Sequence, residues 1–122
     1  CAVVWQNMGA PPLFSLLECG PGRGTLMKDL LRAATRVPGF NVAAQVHLVE
    51  RSAALRARQR EALGQTVTWH NDIATLPDGP TIVVANEFLD ALPVRLNTYA
   101  GSTTFCIHVP MFDSNMPVQT NR

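Results

Sequence analysis

Leu13-Phe14-Ser15-Leu16-Leu17-Glu18-Cys19-Gly20-Pro21-Gly22-Arg23-Gly24-Thr25-Leu26 joins a short apolar run to a glycine-rich bend and then to a helix-forming stretch. The run Leu13 to Glu18 follows Pro11-Pro12 and is apolar on both alternating faces, as a strand covered on both sides must be. It stops abruptly at glycines, which permit backbone angles and a close approach that a Cβ would block. Thr25 reads as the N-cap of a helix from about Leu26 to Arg36, with Leu26, Leu30, Ala33 and Ala34 on one face at helical spacing. Pro38-Gly39 closes this unit.

The same alternation continues downstream. Gln45 to Glu50 reads as a second strand ending in an acid, and Ser52 as the N-cap of a helix over Ala53 to Leu63 with Gly64 as its stop. Thr66 to Trp69 reads as a third strand, and Thr81 to Asn86, after the Pro77-Asp78-Gly79-Pro80 loop, as a fourth. The order β-α-β-α-β-loop-β predicts an open, Rossmann-like α/β sheet with parallel strands and right-handed crossovers. From Tyr99 a hairpin around Gly101 is expected, continuing through Ile107 and Val109, and Met111 to Arg122 reads as a frayed tail.

Composition narrows the function. The 122 residues carry a net charge of +1 and 47% hydrophobic residues, ordinary for one globular domain. No apolar run approaches the roughly 18 residues needed to span a bilayer, so no membrane association is expected, and Cys1 to Met8 lacks the features of a signal peptide. Arg51, Arg56, Arg58 and Arg60 read as the solvated face of a helix, not as a nucleic-acid patch. Cys1, Cys19 and Cys106 are too widely spaced for a zinc site. His47 reads as a sheet-face histidine, His70 as a neighbour of the ligand edge without chemistry, and Trp5 and Trp69 as packing residues.

In open α/β sheets ligands bind at the carboxyl ends of the strands, beside a helix N-terminus. The bend from Gly20 to Gly24 occupies that place. A P-loop needs Gly-Lys-Ser/Thr where this chain has Gly24-Thr25-Leu26, and a dinucleotide turn, as in an oxidoreductase, needs Gly or Ala where it has Thr25. The spelling E-x-G-x-G-x-G from Glu18 through Gly20, Gly22 and Gly24 suits S-adenosylmethionine, whose ammonium the acid can pair with. Glu50 ends the second strand, where such folds put an acid on the ribose hydroxyls; a salt bridge with Arg51 or a neighbouring helix is the alternative. Asp72 follows the third strand, placed either to accept from an adenine amino group or to cap a helix. Asn86 and Glu87 follow the fourth strand and can orient a nucleophilic nitrogen, with Glu87 gripping a guanidinium through two oxygens; the alternative is that Asn86 caps a turn and Glu87 faces water.

Three runs together resemble a known family: Glu18 to Met27 with Asp29-Leu30-Leu31-Arg32 behind it, Val46 to Glu50, and Ala85-Asn86-Glu87-Phe88-Leu89-Asp90-Ala91-Leu92-Pro93-Val94-Arg95. They resemble the MidA family of S-adenosylmethionine-dependent methyltransferases, from about Trp5 to Arg95. The resemblance implies a class I methyltransferase fold, S-adenosylmethionine as cofactor, and a protein acceptor with arginine favoured. By position it places Glu18, Gly20, Gly22 and Gly24 at the methionine end, Glu50 at the ribose, and Asn86 and Glu87 at the methyl group. Beyond Leu96 no motif of the family is matched. Residues 1–96 are therefore expected to form a partial Rossmann-like cofactor domain and residues 97–122 an unmatched hairpin and tail. A fragment or truncated paralogue is expected, active as an enzyme or reduced to a non-catalytic cofactor- or partner-binding module. The expected compartment is a bacterial cytoplasm, with the mitochondrial matrix as the alternative.

Overall fold

The computed structural model describes residues 1–86 and, for the backbone, 104–108. Helix α1 (Ala2–Asn7) precedes strand β1 (Phe14–Cys19), helix α2 (Thr25–Ala34) and the short helix α3 (Phe40–Ala43). Strand β2 (Ala44–Val49), helix α4 (Ala53–Leu63) and strand β3 (Thr68–His70) follow. A 3₁₀ turn (Ile73–Thr75) leads to β4 (Thr81–Ala85), and the last described strand is β5 (Thr104–His108).

The five described strands lie in one sheet of order β3-β2-β1-β4-β5, and every pairing among them is parallel. The chain works outward from β1 to β3 on one side, then returns to build β4 and β5 on the other. The strand order therefore reverses between β1 and β4, and a crevice opens at such a switch point, outside the carboxyl ends of the strands. The expected parallel α/β architecture is what the chain forms. Part of the stretch expected as a hairpin, Thr104–His108, forms β5, which adds to the sheet parallel to β4; the turn expected at Gly101 and the arm before it lie outside the described residues.

Pleating sends alternate side chains to opposite faces. Leu16, Val46, Leu48, Ile82 and Val84 share one face and form a single core with Trp5, Met27, Ala34 and Phe40 from the helices. Trp5 packs edge-on against Phe40 at 5.7 Å between ring centroids and donates its indole N–H to the Pro11 carbonyl at 3.0 Å. It is a packing residue, as read from the sequence.

Two local expectations need correction. Thr25 is the first residue of α2 rather than its cap; the cap position is Gly24, at φ 80°, with no side-chain cap bond. A β-branched residue is strongly disfavoured in that left-handed conformation, so the sharp strand-to-helix bend puts glycine at the junction. The buried face of α2 is centred on Met27, fully buried, and Ala34, whereas Ala33 is exposed. By contrast, α4 spans the residues predicted. Ser52 caps it by accepting from the Leu55 N–H at 3.3 Å, and Gly64 ends it at φ 78°. Ser52→Ala is expected to lower stability by about 1 kcal/mol, measured by urea denaturation, with the fold retained.

Candidate cofactor site

Glu18 is the penultimate residue of β1 and only 2% exposed. Its side chain lies on the helix-covered face, and the Met27 backbone N–H, in the first turn of α2, hydrogen-bonds to its carboxylate. The other oxygen, Oε2, is buried without a hydrogen-bond partner. Burial pushes the carboxyl up to about 7, and the Met27 bond offsets only part of that rise. A buried carboxylate with an unfilled acceptor position costs several kcal/mol, a cost that a cationic or strongly donating group would offset.

Asn86 directly follows β4, two residues after Val84, the register partner of Glu18. On the pleat the two side chains leave neighbouring strands on the same face. Asn86 Oδ1 is likewise buried and without a partner. Two orphaned acceptors therefore flank the switch point. Glu87, which the sequence pairs with Asn86, lies outside the described residues.

Between them runs the turn. Gly20, Gly22 and Gly24 all have positive φ, at 65°, 54° and 80°. The Gly20 N–H donates to Val49 O at 3.3 Å and the Gly24 N–H to Pro21 O at 2.8 Å. A Cβ on Gly22 would meet nothing within 4 Å, so this glycine borders open space. A Cβ on Gly24 would lie 3.2 Å from Leu63 Cδ1, so this glycine also lets α2 approach α4.

Glu50 follows β2, half-buried, with Oε1 accepting from the Ser52 N–H at 2.8 Å. Arg51 does not pair with it; Arg51 Nε donates instead to the Asn71 carbonyl at 3.1 Å. The Glu50 carboxylate is thus held at the rim, beside the turn, with Oε2 outside that bond. Asp72 is exposed and caps the 3₁₀ turn, Oδ1 accepting from the Ala74 N–H at 3.0 Å. That is the capping alternative read from the sequence.

Sequence reading missed three features. Arg56 belongs only partly to the solvated face: Nε donates to Glu50 O at 2.7 Å and a terminal nitrogen to Asn71 Oδ1 at 2.8 Å. Gln59 is fully buried, donating from Nε2 to Gly22 O at 2.7 Å and accepting from Trp69 Nε1 at 2.8 Å. Trp69 also carries the Arg60 guanidinium 4.7 Å above its ring. The spacing of Ser52, Arg56, Gln59 and Leu63 was a signal in the sequence, since steps of four, three and four make one helical stripe.

On the sheet face opposite the core, His47 Nδ1 and His70 Nε2 lie 2.9 Å apart, and His70 Nδ1 is 2.7 Å from Thr75 Oγ1. The Thr75 hydroxyl donates to Asp72 O at 2.9 Å. His70 Nδ1–H is therefore the donor to Thr75, and His70 Nε2 accepts from His47. Burial, and then the neighbouring His70, push the His47 imidazole below its ordinary range. Among the described residues no group of three or more His, Cys, Asp or Glu could hold a metal ion, and no helix is long and apolar enough to cross a membrane. A separate open cleft between α2 and α4 is lined by Arg23, Lys28, Arg58 and Glu61 and contains none of the expected site residues.

The chemistry of the residues present fits S-adenosylmethionine, a cationic ligand with a vicinal diol: among the described residues Glu18 is the one buried acid, the backbone at Gly22 borders open space, and Glu50 offers a second carboxylate. Comparison with known proteins agrees. Residues 1–118 match a family described as "putative S-adenosyl-L-methionine-dependent methyltransferase", a match that runs past Leu96, where the motif resemblance ends. The chain is 34% identical to the mitochondrial protein arginine methyltransferase NDUFAF7 homolog of Drosophila melanogaster, over 75% of this chain and 26% of that protein. It is 33% identical to human mitochondrial protein arginine methyltransferase NDUFAF7, over 75% of this chain and 26% of that protein. A crystal structure of an uncharacterised protein from Burkholderia thailandensis superposes with a TM-score of 0.52 at 32% identity, covering 70% of this chain and 24% of that one. The chain spans about a quarter of the length of the curated relatives it matches. With the glycine turn, the switch in strand order between β1 and β4 and these matches in agreement, and with the dinucleotide spelling unmet, the chain belongs to the MidA and NDUFAF7 family of S-adenosyl-L-methionine-dependent methyltransferases.

Proposed function

We propose that this chain provides the S-adenosylmethionine-binding half of a methyltransferase whose acceptor is a protein arginine. The observation that carries the reading is the pair of orphaned buried acceptors, Glu18 Oε2 and Asn86 Oδ1, on either side of the switch point. Glu18 pairs with the ammonium of the cofactor, and Glu50 accepts from its ribose hydroxyls. Gly20, Gly22 and Gly24 shape the floor, and Asp72 borders the adenine. When bound, S-adenosylmethionine supplies an electrophilic methyl group on sulfur. Transfer then depends on positioning a nitrogen lone pair in line with it. Asn86 Oδ1 accepts an N–H of the incoming guanidine and so fixes the direction of that lone pair, while Glu87 grips the remaining N–H groups through two oxygens. The relatives named as arginine methyltransferases support the acceptor, and their mitochondrial location favours the matrix over a bacterial cytoplasm.

Calorimetry with S-adenosylmethionine tests the binding step. The wild-type chain is expected to bind, and Glu50→Ala to bind about tenfold more weakly, the loss of a charged hydrogen-bond acceptor. Folded wild-type protein that takes up no cofactor would overturn the reading. Transfer of a labelled methyl group to arginine peptides, with lysine peptides as control, tests the acceptor. Binding without transfer to either identifies the chain as a cofactor-binding module only.

A further inference from the structure

We propose that one face of α4, through Arg56 and Gln59, positions the three segments of the cofactor crevice relative to one another. The inference rests on the proposed cofactor reading but concerns residues that do not line the crevice in the role of ligands. The crevice is built from three separate pieces of chain: the turn after β1, the end of β2 at Glu50, and the loop after β3 at Asn71-Asp72. Nothing in the sheet itself fixes the conformation of a turn beyond the last ladder bond. A crevice whose walls drift by an ångström loses affinity steeply, because the binding groups must be ordered again each time a ligand arrives.

Helix α4 touches all three pieces from one stripe. Gln59, two turns into the helix, donates to the Gly22 carbonyl at 2.7 Å, in the middle of the turn. Arg56, one turn earlier, donates to the Glu50 carbonyl at 2.7 Å and to the Asn71 side chain at 2.8 Å, tying the second piece to the third. Ser52, one turn earlier again, donates its N–H to the Glu50 carboxylate and sets its rotamer. Leu63 closes the other end of the stripe against Gly24. Gln59 is itself held, since Trp69 on β3 donates to its Oε1 at 2.8 Å. Each amide atom of Gln59 thus has a partner, and its orientation is determined: Nε2 toward the turn, Oε1 toward Trp69.

A fully buried glutamine on an otherwise polar helix needs a reason. If the need were only packing, a leucine or methionine would serve without the cost of desolvating an amide. The hydrogen bond to Gly22 supplies that reason. It aims the turn's carbonyl toward α4 and so keeps it from facing an anionic or polar ligand across the crevice.

The test separates positioning from stability. Gln59→Met keeps the volume and loses both bonds; Arg56→Met keeps the stem and loses the guanidinium. Each is expected to weaken S-adenosylmethionine binding about tenfold by calorimetry, at a temperature where the protein is fully folded. Phe40→Leu, in the core away from the crevice, serves as a control that loses comparable thermal stability with no change in dissociation constant. Arg56→Lys retains one donor and is expected to recover part of the affinity lost in Arg56→Met. Should Gln59→Met not fold, Trp69→Phe removes the N–H that orients Gln59, together with part of the ring under Arg60, and is expected to weaken binding about threefold, with Arg60→Ala as the control for the ring contact. Wild-type affinity in folded Gln59→Met and Arg56→Met, or in Trp69→Phe where Gln59→Met does not fold, overturns the proposal while leaving the cofactor reading intact. Absence of binding by wild type overturns the cofactor reading itself.

Discussion

Glu18→Gln is expected to make the unliganded protein more stable above neutral pH and, under the same conditions, to weaken cofactor binding by about 10- to 100-fold. Both effects come from one buried carboxyl. Burial raises it from 4.5 to about 7, and its Oε2 has no partner. In the folded chain the group therefore holds its proton between about 4.5 and 7, where the unfolded chain has released it. The folded state binds more protons in that window, so stability falls as pH rises through it. Glutamine has no proton to lose. The variant is expected to match wild type near pH 4.5 and to exceed it near pH 8, by on the order of 2 kcal/mol. Thermal unfolding of both proteins across that range checks the crossing.

Binding runs the other way. An ammonium beside Glu18 favours the carboxylate, so cofactor uptake by wild type expels the proton wherever it is still bound. Affinity is expected to rise about tenfold per pH unit toward 7, then to decline above about 8 as the ligand's own α-amino group deprotonates. Glu18→Gln lacks the rising limb. Calorimetry in buffers of different ionisation enthalpy detects the released proton directly. An affinity that is flat from pH 5 to 8 in wild type would remove Glu18 from the ammonium and leave its burial unexplained.

The sequence revealed the parts of this site that are written locally. The strand Phe14–Cys19 and its glycines announce themselves by a change of period and by spelling, and Ser52 and Gly64 bracket α4 with chemistry that acts within one turn. The junction at Gly24 was misread because Thr25 is an acceptable cap in isolation. Only the bend that brings α2 back over the sheet requires a left-handed residue there. Naming Ala33 and leaving out Met27 displaced part of the inferred face, because residues six apart on a helix stand about 120° from each other. Arg56 and Gln59 were hidden for a deeper reason. On a helix as polar as α4, a residue reaching water and one reaching a neighbouring carbonyl look alike until the fold brings Gly22 and Glu50 within reach. Trp69 was read as packing for the same reason, because its hydrogen-bond partner is a residue that the pattern assigned to solvent. The switch point between β1 and β4 was likewise beyond local reading, since it depends on which strands become neighbours.

Gly22→Val and Gly24→Ala are expected to fail in different ways, and the contrast tests which glycine faces the cofactor. Both positions have positive φ, 54° and 80°, so any side chain there carries strain of about 1–2 kcal/mol. Their surroundings differ. At Gly22 the added carbon meets no protein atom within 4 Å, while the carbonyl is anchored on the opposite side by Gln59. A valine at this position adds strain, its Cβ meets no described atom within 4 Å, and on the proposed reading its branched carbons point into the crevice. The variant is expected to remain folded with a lowered melting temperature and to lose more than about 100-fold in affinity, since a ligand backbone cannot approach. At Gly24 the added carbon lies 3.2 Å from Leu63 Cδ1 and 3.5 Å from Gln59 Cγ, so the Leu63 side chain must give by a few tenths of an ångström. Overpacking adds about 1–3 kcal/mol to the strain, making Gly24→Ala the less stable of the two relative to its small size. Its affinity loss is expected to be smaller, about tenfold, transmitted through the displaced Gln59 rather than by occupying the crevice. Measured together, melting temperatures and dissociation constants should fall on no common line. If Gly22→Val instead binds as tightly as wild type, the ligand does not cross the turn, and the open space over Gly22 is merely solvent.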